Sequence, residues 1–370
     1  MLNLANPYKP SIHHAIYKQT PQDFIVHEQL SLDFANHGEH LWLQLKKTNL
    51  NTEHLVKLLA KWADIAKKDI GFSGLKDRHA ITTQWFSLRL PKKSMPTKPL
   101  AEFFAVHLLA NEQVDVLNLI WHNKKLNRST HEGNRFIITL RQVHADKSAL
   151  DKQLLSIKTQ GVPNYFGEQR FGHEQQNLLK ALHLFKTELE LKTDKPTKAK
   201  LGQKFGLYLS SARSELFNAI LAKRVVLNTW QTAHLGDVMN LAGSQSIFIP
   251  DAIDDKLQER LLSGDIHLTG AMWGFGKLQS FADVAKLEQT VIDSSPTYQI
   301  LAKGLASFGL KQQRRPLRVI PKCMSWQWLD CDVLTLDFVL PTGSFATVLL
   351  HCLVENLSLV ENPIYQNKAK

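Results

Sequence analysis

The sequence predicts a protein of the α/β (α+β) class in which a sheet-containing domain is interrupted by a second domain. Three observations lead to this prediction. Strand-like and helix-like patterns alternate in the early part of the chain, and a strand–turn–helix pattern returns near the carboxyl end. Between them, from about Gly161 to Phe308, the pattern is mainly helical.

The first helix is predicted in the stretch "TEHLVKLLAKWADIAKKDI", residues 52–70. Its apolar residues recur at helical spacing, as in Leu55, Leu58, Leu59 and Trp62. Asn51 or Thr52 can cap the amino end, and Gly71 is the expected stop.

A strand is predicted in "ITTQWFSLRL", because Phe86, Leu88 and Leu90 alternate with polar residues. The loop "GLKDRHA" comes between the predicted helix and this strand. Asp77 is therefore expected on a helix-to-strand connection, a kind of position that often displays functional groups.

The stretch "DVLTLDFVLPTGSFATVLLHCLVE" predicts a strand, a turn and a helix in succession. Its alternating apolar residues share one strand face, and they are Leu334, Leu336, Phe338 and Leu340. Ser344 can cap the following helix, so Phe345 is expected at the junction. In the middle of the chain "SSARSELFNAILAKRVV" predicts a helix, and the Lys-rich stretch at 191–204 predicts an exposed, mobile loop.

The composition is that of an ordinary globular protein with a basic surface. The chain has 370 residues, 45 Lys plus Arg and 34 Asp plus Glu, which gives a net charge of +11. Such an excess favours a polyanionic partner, with nucleic acid as the first candidate. A basic surface that binds nothing explains the charge equally well.

The three cysteines, Cys323, Cys331 and Cys352, form no CxxC pair and are odd in number. They argue against a disulfide framework and a cysteine-based zinc site, and they fit a reducing cytosol. The amino terminus has no apolar segment typical of a signal peptide, and no apolar run is long enough to span a bilayer. We therefore expect a soluble, cytoplasmic protein.

Asp77 is the first candidate for chemistry because Lys76, Arg78 and His79 surround it in sequence. Nearby positive charge favours the ionised form of a carboxylate, which can act as a nucleophile, a general base or a metal ligand. A metal site would need further ligands, and the loop offers only His79. An ordinary turn aspartate remains the alternative interpretation.

Three further stretches have the composition of a nucleic-acid interface or a specific loop. Residues 122–136 and 311–319 combine basic residues with aromatic or amide groups, although solvated cationic turns would look the same. "GVPNYFGEQRFG", residues 161–172, predicts an irregular loop that places Arg170 to contact a phosphate or a carboxylate. A domain-boundary turn is its alternative, and a core aromatic is the default interpretation of Phe24.

Taken in order, "KQTPQDFIVHE", "GLKDRHAITTQW", "GNRF", "GVPNYFGEQRFG", "SARSELFN" and "LPTGSFAT" resemble the motif set of the TruD family of tRNA pseudouridine synthases. The resemblance runs from about Lys18 to Leu353. "GLKDRHA" and "NYFGEQRFG" are its most specific parts.

The resemblance implies a discontinuous catalytic domain, residues 1–157 and 309–370, built on a mixed, mainly antiparallel sheet flanked by helices. A family-specific α/β domain, residues 158–308, would be inserted into it. Substrate tRNA would lie in the cleft between the two domains.

The resemblance also implies the activity. Members isomerise uridine 13 in the D arm of tRNA to pseudouridine without a cofactor or a metal, so the implied partner is tRNA, with no membrane and a monomeric enzyme. By the motif match Asp77 is the catalytic aspartate, and Phe24, Asn134 and Phe345 contact the target nucleotide. Lys18 matches a basic position near the aspartate, and Arg170 is a supporting residue.

Two other classes of function remain open at this point. A noncatalytic RNA-binding or chaperone protein would use Asp77 only to organise its loop. A nucleoside hydrolase or deaminase would use the same carboxylate, although the P-C-x-x-C motif of nucleobase deaminases is absent from the sequence.

Overall fold

The fold is seen in a computed structural model that describes residues 4–128, 130–191 and 205–359. It divides into two compact units. The sheet unit comprises residues 11–128, 130–150, 321–343 and 354–359. The helical unit comprises residues 4–10, 151–191, 205–320 and 344–353.

The strands in chain order are β1 (Ile12–Tyr17), β2 (Phe24–Gln29), β3 (His40–Thr48), β4 (Ile70–Phe72), β5 (Ile81–Arg89), β6 (Gln113–His122), β7 (Gly133–Ala145), β8 (Val162–Pro163), β9 (Met239–Leu241), β10 (Ile247–Phe248), β11 (Ile266–Met272), β12 (Gln313–Pro316), β13 (Arg318–Val319), β14 (Lys322–Asp330), β15 (Val333–Pro341) and β16 (Val354–Leu359). The helices are α1 (Thr52–Ala63), α2 (Leu100–His107), α3 (Lys147–Gln160), α4 (Gln176–Leu191), α5 (Phe205–Val226), α6 (Asp255–Ser263), α7 (Ala282–Asp293), α8 (Pro296–Ser307) and α9 (Ala346–Leu353).

The sheet unit is built on one large mixed sheet. Its central order is β14-β15-β7-β2-β5-β3-β6, with β1 beside β7 and β16, and β4 beside β5. The β2–β5 and β1–β16 pairs are parallel, whereas the other pairs of this sheet are antiparallel. The predicted mixed, mainly antiparallel sheet is therefore confirmed.

The apolar face of β3 and β5 packs against α1 and α2. This core holds Leu41, Leu43, Leu45, Leu55, Leu59, Phe86, Leu88, Phe103 and Phe104. Because successive side chains of a strand point to opposite faces, the alternation of Phe86 and Leu88 in the sequence correctly predicted the face of β5 that enters this core. The four apolar residues predicted to share one face of β15 are also all buried.

The predicted end of the first helix at Gly71 is wrong. The helix is capped as expected, since the Asn51 side chain accepts a hydrogen bond from the Glu53 amide, but it ends at Ala63. Asp64 then adopts a left-handed conformation, with φ of 50°. Gly71 lies in β4, where a Cβ would come within 2.2 Å of the Leu126 carbonyl oxygen, so this glycine permits a close approach of two chain segments.

The helical unit has a helical core and two small sheets. Helices α4, α5, α7 and α8 enclose an apolar cluster that includes Phe185, Leu216, Ile220, Leu301 and Phe308. The sheets have the orders β10-β9-β11-β12 and β13-β8. The helix predicted in residues 210–226 is confirmed as the larger part of α5.

The predicted domain boundaries at 157/158 and 308/309 stay predictions. Beyond residues 158–308 the helical unit also contains residues 4–10, 151–157, 309–320 and 344–353. Residues 192–204, most of the predicted mobile loop, lie outside the described residues. No helix in the described ranges is long and apolar enough to cross a membrane.

Candidate active site

Asp77 lies in the loop between β4 and β5, so it follows a short strand rather than the predicted helix. Its side chain is 28% exposed, and its Oδ1 is 3.1 Å from the Nζ of Lys18, which is only 10% exposed. The two residues are 59 positions apart in sequence. The structure thus pairs the candidate catalytic carboxylate with a largely buried cation.

The turn that carries Lys18 is fixed by a buried carboxylate. Lys18 itself has a positive φ of 57°, an uncommon conformation for a residue with a side chain. Asp23 Oδ2 accepts a hydrogen bond from the Thr20 amide, and Asp23 Oδ1 accepts two from the guanidinium of Arg141 on β7. These bonds hold the turn between β1 and β2, and with it the direction of the lysine.

The ring of Phe24 packs against the ammonium group of Lys18. The lysine Nζ lies 4.0 Å from the centroid of the Phe24 ring and 5.6 Å from that of Tyr17. The Phe24 ring is 2% exposed and packs edge-to-face against Tyr17 and Phe136. Lys18, Phe24 and Asp77 therefore form one group of contacting residues, in which the ring interacts with the ammonium through its face.

The sequence neighbours of Asp77 have other partners. Lys76 forms a buried ion pair with Glu28 on β2, at 3.0 Å. Arg78 Nε donates to the Asn49 carbonyl. His79 is exposed, and its pKa is lowered mainly by partial burial and then by the positive charges of Arg78 and Lys18. The run of cations thus anchors the loop as well as bringing positive charge to it.

Further polar contacts hold the main chain of the loop. The Thr52 hydroxyl accepts a hydrogen bond from the Lys76 amide and donates to the side-chain oxygen of Gln84. The Gln84 side chain in turn donates to the Gly74 carbonyl. Lys47 Nζ donates to the carbonyl oxygen of Asp77 itself, at 2.8 Å.

Sequence reasoning missed these supporting residues, and Lys47 above all. In the sequence Lys47 follows Lys46 at the polar end of a strand, a pattern that normally indicates two solvated lysines. Glu28, Thr52 and Gln84 are likewise ordinary strand or helix-start residues in the sequence. They approach the loop only through the tertiary structure, in which β5 pairs both with β2, which carries Glu28, and with β3, which carries Lys47.

Asn134 lies on β7, in register with Glu28 on β2 and Leu340 on β15. Its Oδ1 is buried and has no hydrogen-bond partner among the described residues. A buried amide oxygen without a partner is unusual, because such atoms normally accept a hydrogen bond.

Phe345 and Arg170 belong to the helical unit, where they meet around Phe166. Phe345 packs edge-to-face on the Phe166 ring at 6.1 Å, and the Arg170 guanidinium lies 5.2 Å from the centroid of that ring. Arg170 donates to the Ser210 hydroxyl, and burial lowers its pKa. A Cβ on Gly167 would come within 3.1 Å of the Phe345 ring, so this residue gives the ring room.

Two of the sequence motifs contact each other in this unit. The Asn218 side chain accepts a hydrogen bond from the Phe166 amide and donates one to the Phe166 carbonyl. Ser211 donates to the Arg170 carbonyl. The irregular 161–172 loop is therefore fixed by the buried face of α5.

Three arginines of the basic stretch 311–319 make contacts inside the helical unit, which the sequence does not indicate. Arg314 forms a buried ion pair with Glu288 at 2.9 Å, Arg315 lies 4.0 Å from the Phe166 ring, and Arg318 donates to the Leu261 carbonyl. In the other basic stretch Arg135 pairs with Asp337 through two hydrogen bonds. Much of the charge predicted to bind nucleic acid is thus engaged in internal contacts.

Within the described ranges, no group of three or more His, Cys, Asp or Glu residues is arranged to hold a metal ion. The chemistry open to this arrangement is that of a half-buried carboxylate on a rigid loop, with an ammonium group at hydrogen-bond distance. A nucleophile or a general base has these properties.

Comparisons with known proteins give a consistent result. Residues 11–190 and 201–353 match the family described as tRNA pseudouridine synthase D (TruD). The tRNA pseudouridine synthase D of Psychrobacter arcticus is 44% identical, with 96% of this chain and 94% of that protein covered. The protein of the same name from Hydrogenovibrio crunogenus is 42% identical, with coverages of 92% and 93%.

A solved structure shares the fold. The crystal structure described as a candidate tRNA pseudouridine synthase D (TruD) from Methanosarcina mazei superposes with a TM-score of 0.69. The two sequences are 20% identical, and 94% of each chain is covered.

Proposed function

This chain belongs to the TruD family of tRNA pseudouridine synthases, and we therefore propose that it isomerises uridine 13 in the D arm of tRNA to pseudouridine, with Asp77 as the catalytic aspartate. The ion pair between Asp77 and Lys18 is the observation that carries this proposal. It supplies what the reaction needs, a charged carboxylate at a defined position near the protein surface.

The reaction replaces a C–N glycosidic bond by a C–C bond. The bond between uracil N1 and ribose C1′ breaks, the base turns, and C5 bonds to C1′ while the proton on C5 is lost and N1 gains one. The carboxylate can attack C1′, take the C2′ proton so that a glycal forms, or attack C6 of the base. Each route balances without a redox partner or a transferred phosphate, and the proposed enzyme uses no cofactor.

Lys18 has a clear part in any of these routes. The target nucleotide must leave its stack to reach the carboxylate, and once bound it excludes water from the site. An unpaired carboxylate is costly in such surroundings, because burial disfavours the charged form. The neighbouring ammonium of Lys18 offsets this cost.

We assign the remaining residues to the bound nucleotide. Phe345 offers a partly exposed ring against which an everted base can stack, a contact worth roughly 1–3 kcal/mol. The free acceptor of Asn134 suits a donor on the edge of uracil. The Phe24 ring is buried beneath the Lys18 ammonium, so we propose that it acts on the nucleotide through Lys18 rather than by the direct contact expected from the sequence. Arg170 is proposed to contact an RNA phosphate.

The proposed domain division follows the family. Residues 1–157 and 309–370 would form the catalytic domain, and residues 158–308 the inserted domain. The separation of the chain into two compact units supports a two-part organisation. We propose that the protein acts on tRNA in the cytoplasm as a monomer.

The proposal is tested with purified protein and unmodified tRNA transcripts. Pseudouridine is located by carbodiimide labelling and reverse transcription, which should stop one nucleotide 3′ of position 13. A transcript with cytidine at that position is the matched control and should give no stop. Pseudouridine elsewhere would reject the assigned position, release of free uracil would indicate a hydrolase, and tight binding without any modification would favour the noncatalytic alternative.

We expect the affinity for tRNA to fall steeply as salt rises. The excess of basic side chains, which gives a net charge of +11, is expected to contact RNA phosphates. Each phosphate that is neutralised releases counterions from the RNA. Filter binding between about 50 and 200 mM salt should show a loss on the order of 10³ if six or more phosphates are contacted. An affinity that does not change with salt would contradict a phosphate-tracking surface.

We expect Phe345→Ala to lower turnover about tenfold while tRNA affinity changes by less than about twofold. The ring gains its stacking contact, worth roughly 1–3 kcal/mol, only when the base is everted for reaction, whereas the phosphate contacts that determine affinity form without eversion. Phe275, which is 43% exposed and has no assigned role, provides the matched control Phe275→Ala. Equal losses of turnover and affinity in Phe345→Ala would show that the ring serves the fold instead.

A further inference from the structure

A buried lysine lies directly beneath the Asp77 loop. Lys47 is on β3, and its side chain is fully buried, while the preceding Lys46 faces solvent and pairs with Asp115. Lys47 Nζ donates to two main-chain carbonyls, those of Leu50 at 2.6 Å and Asp77 at 2.8 Å. It therefore joins the end of β3 to the residue that carries the candidate catalytic carboxylate.

This position is costly for an ammonium group. Burial lowers the pKa of Lys47 to about 8, with the charge of Lys76 acting in the same direction and that of Asp77 opposing both. Its two hydrogen bonds end on neutral carbonyls, which compensate less than a carboxylate would. A methionine would fill the same space without this cost, so the lysine calls for an explanation beyond packing.

We propose, on the basis of the function proposed for Asp77, that Lys47 is a positioning residue for the reaction. It holds the main chain of Asp77 from inside the protein and places a second positive charge at the same residue whose carboxylate is bound by Lys18.

The geometry gives the proposal a specific consequence. Lys18 holds the carboxylate end of Asp77, and Lys47 holds its carbonyl end. With both ends fixed, the carboxylate has little freedom to swing away from a bound nucleotide. Misplacement of a reacting group by about 1 Å can reduce a rate on the order of 100-fold, so the loss of one anchor should appear in turnover.

The test compares Lys47→Met with Lys46→Met under single-turnover conditions. We expect Lys47→Met to react about 10- to 100-fold more slowly and to bind tRNA within about twofold of wild type, because Lys47 has no exposed surface for RNA. Lys46→Met removes a lysine at the adjacent position and should react at the wild-type rate. The amount of tRNA bound at saturation counts the folded molecules in each preparation.

The pH profile separates positioning from mere support of the fold. The charges of Asp77 and Lys76 shift the pKa of Lys47. Lys18 forms an ion pair with Asp77, Glu28 forms one with Lys76, and His79 interacts electrostatically with Asp77. The lowered pKa of Lys47 means that its charge is present below about pH 8 and is lost above it. We expect the wild-type rate to decline through that range, and the decline to be absent in Lys47→Met but retained in Lys46→Met.

Each outcome decides the question. An unchanged single-turnover rate in Lys47→Met, or a pH profile of unchanged shape, would overturn the proposal. If the methionine variant does not fold, Lys47→Gln retains a donor at this position without the charge and must still lose the alkaline decline. A wild-type protein that forms no pseudouridine would instead reject the proposed function, which keeps the two failures distinct.

Discussion

We expect the Asp77→Asn variant to form no detectable pseudouridine in tRNA while it binds that RNA with nearly wild-type affinity. The amide has the size of the carboxylate and can still accept a hydrogen bond from Lys18, so the loop should keep its conformation. It carries no negative charge and is neither a nucleophile nor a base. Loss of such a group lowers turnover by a factor on the order of 10,000 or more.

The matched control is Asp115→Asn. Asp115 also pairs with a lysine, Lys46, at 3.2 Å and with a similar exposure, but it lies on the edge strand β6. A surface ion pair of this kind contributes about 0–1 kcal/mol to stability, so this variant should fold and react normally. Carbodiimide mapping measures the product, and filter binding measures the affinity. Pseudouridine formed by Asp77→Asn at the wild-type rate would refute the catalytic assignment.

The parts of the fold that the sequence predicted correctly depend on local periodicity. The alternation of Leu334, Leu336 and Phe338 shows a strand with one buried face, and the helical spacing around Leu216 shows a helix. Both patterns are written in consecutive residues, so no knowledge of the tertiary structure is needed to interpret them.

Predictions failed where a distant segment decides the local structure. The sequence predicts a helix stop at Gly71 because it does not show the Leu126 carbonyl that approaches this residue in β4. Likewise Arg314 has the appearance of a phosphate ligand until the fold supplies Glu288 as its partner. A glycine or an arginine has several common uses, and tertiary contacts select among them.

The candidate site also combines features that the local sequence shows with features that depend on distant segments. The sequence singles out Asp77 because cationic residues flank it. In the structure, however, Lys76 pairs with Glu28 and Arg78 donates to the Asn49 carbonyl. The ammonium that contacts its carboxylate comes from Lys18, and the one that contacts its carbonyl comes from Lys47. A buried lysine and a solvated one give the same letter in the sequence, which is why Lys47 was missed.

We expect Lys18→Met to lower the single-turnover rate about 100-fold, which corresponds to about 2.7 kcal/mol. Methionine can maintain the packing on Phe24, so the substitution removes mainly the charge. With a nucleotide bound and water excluded, the Asp77 carboxylate then lacks its nearest positive partner, and removing one member of a largely buried pair is strongly unfavourable. Lys18→Arg, which keeps the charge, should retain more activity than Lys18→Met.

Lys147→Met is the matched control, because Lys147 also lies over an aromatic ring, at 4.3 Å from that of Trp328. It should react at the wild-type rate, and all variants should bind tRNA within about twofold. A rate for Lys18→Met equal to that of the control would contradict the electrostatic role, and a parallel loss of affinity would indicate that Lys18 contacts RNA instead.

Because Lys18 and Lys47 hold opposite ends of one residue, the double variant should lose less than the product of the two single losses. Once the carboxylate is free to move at either end, the remaining anchor can no longer fix its position.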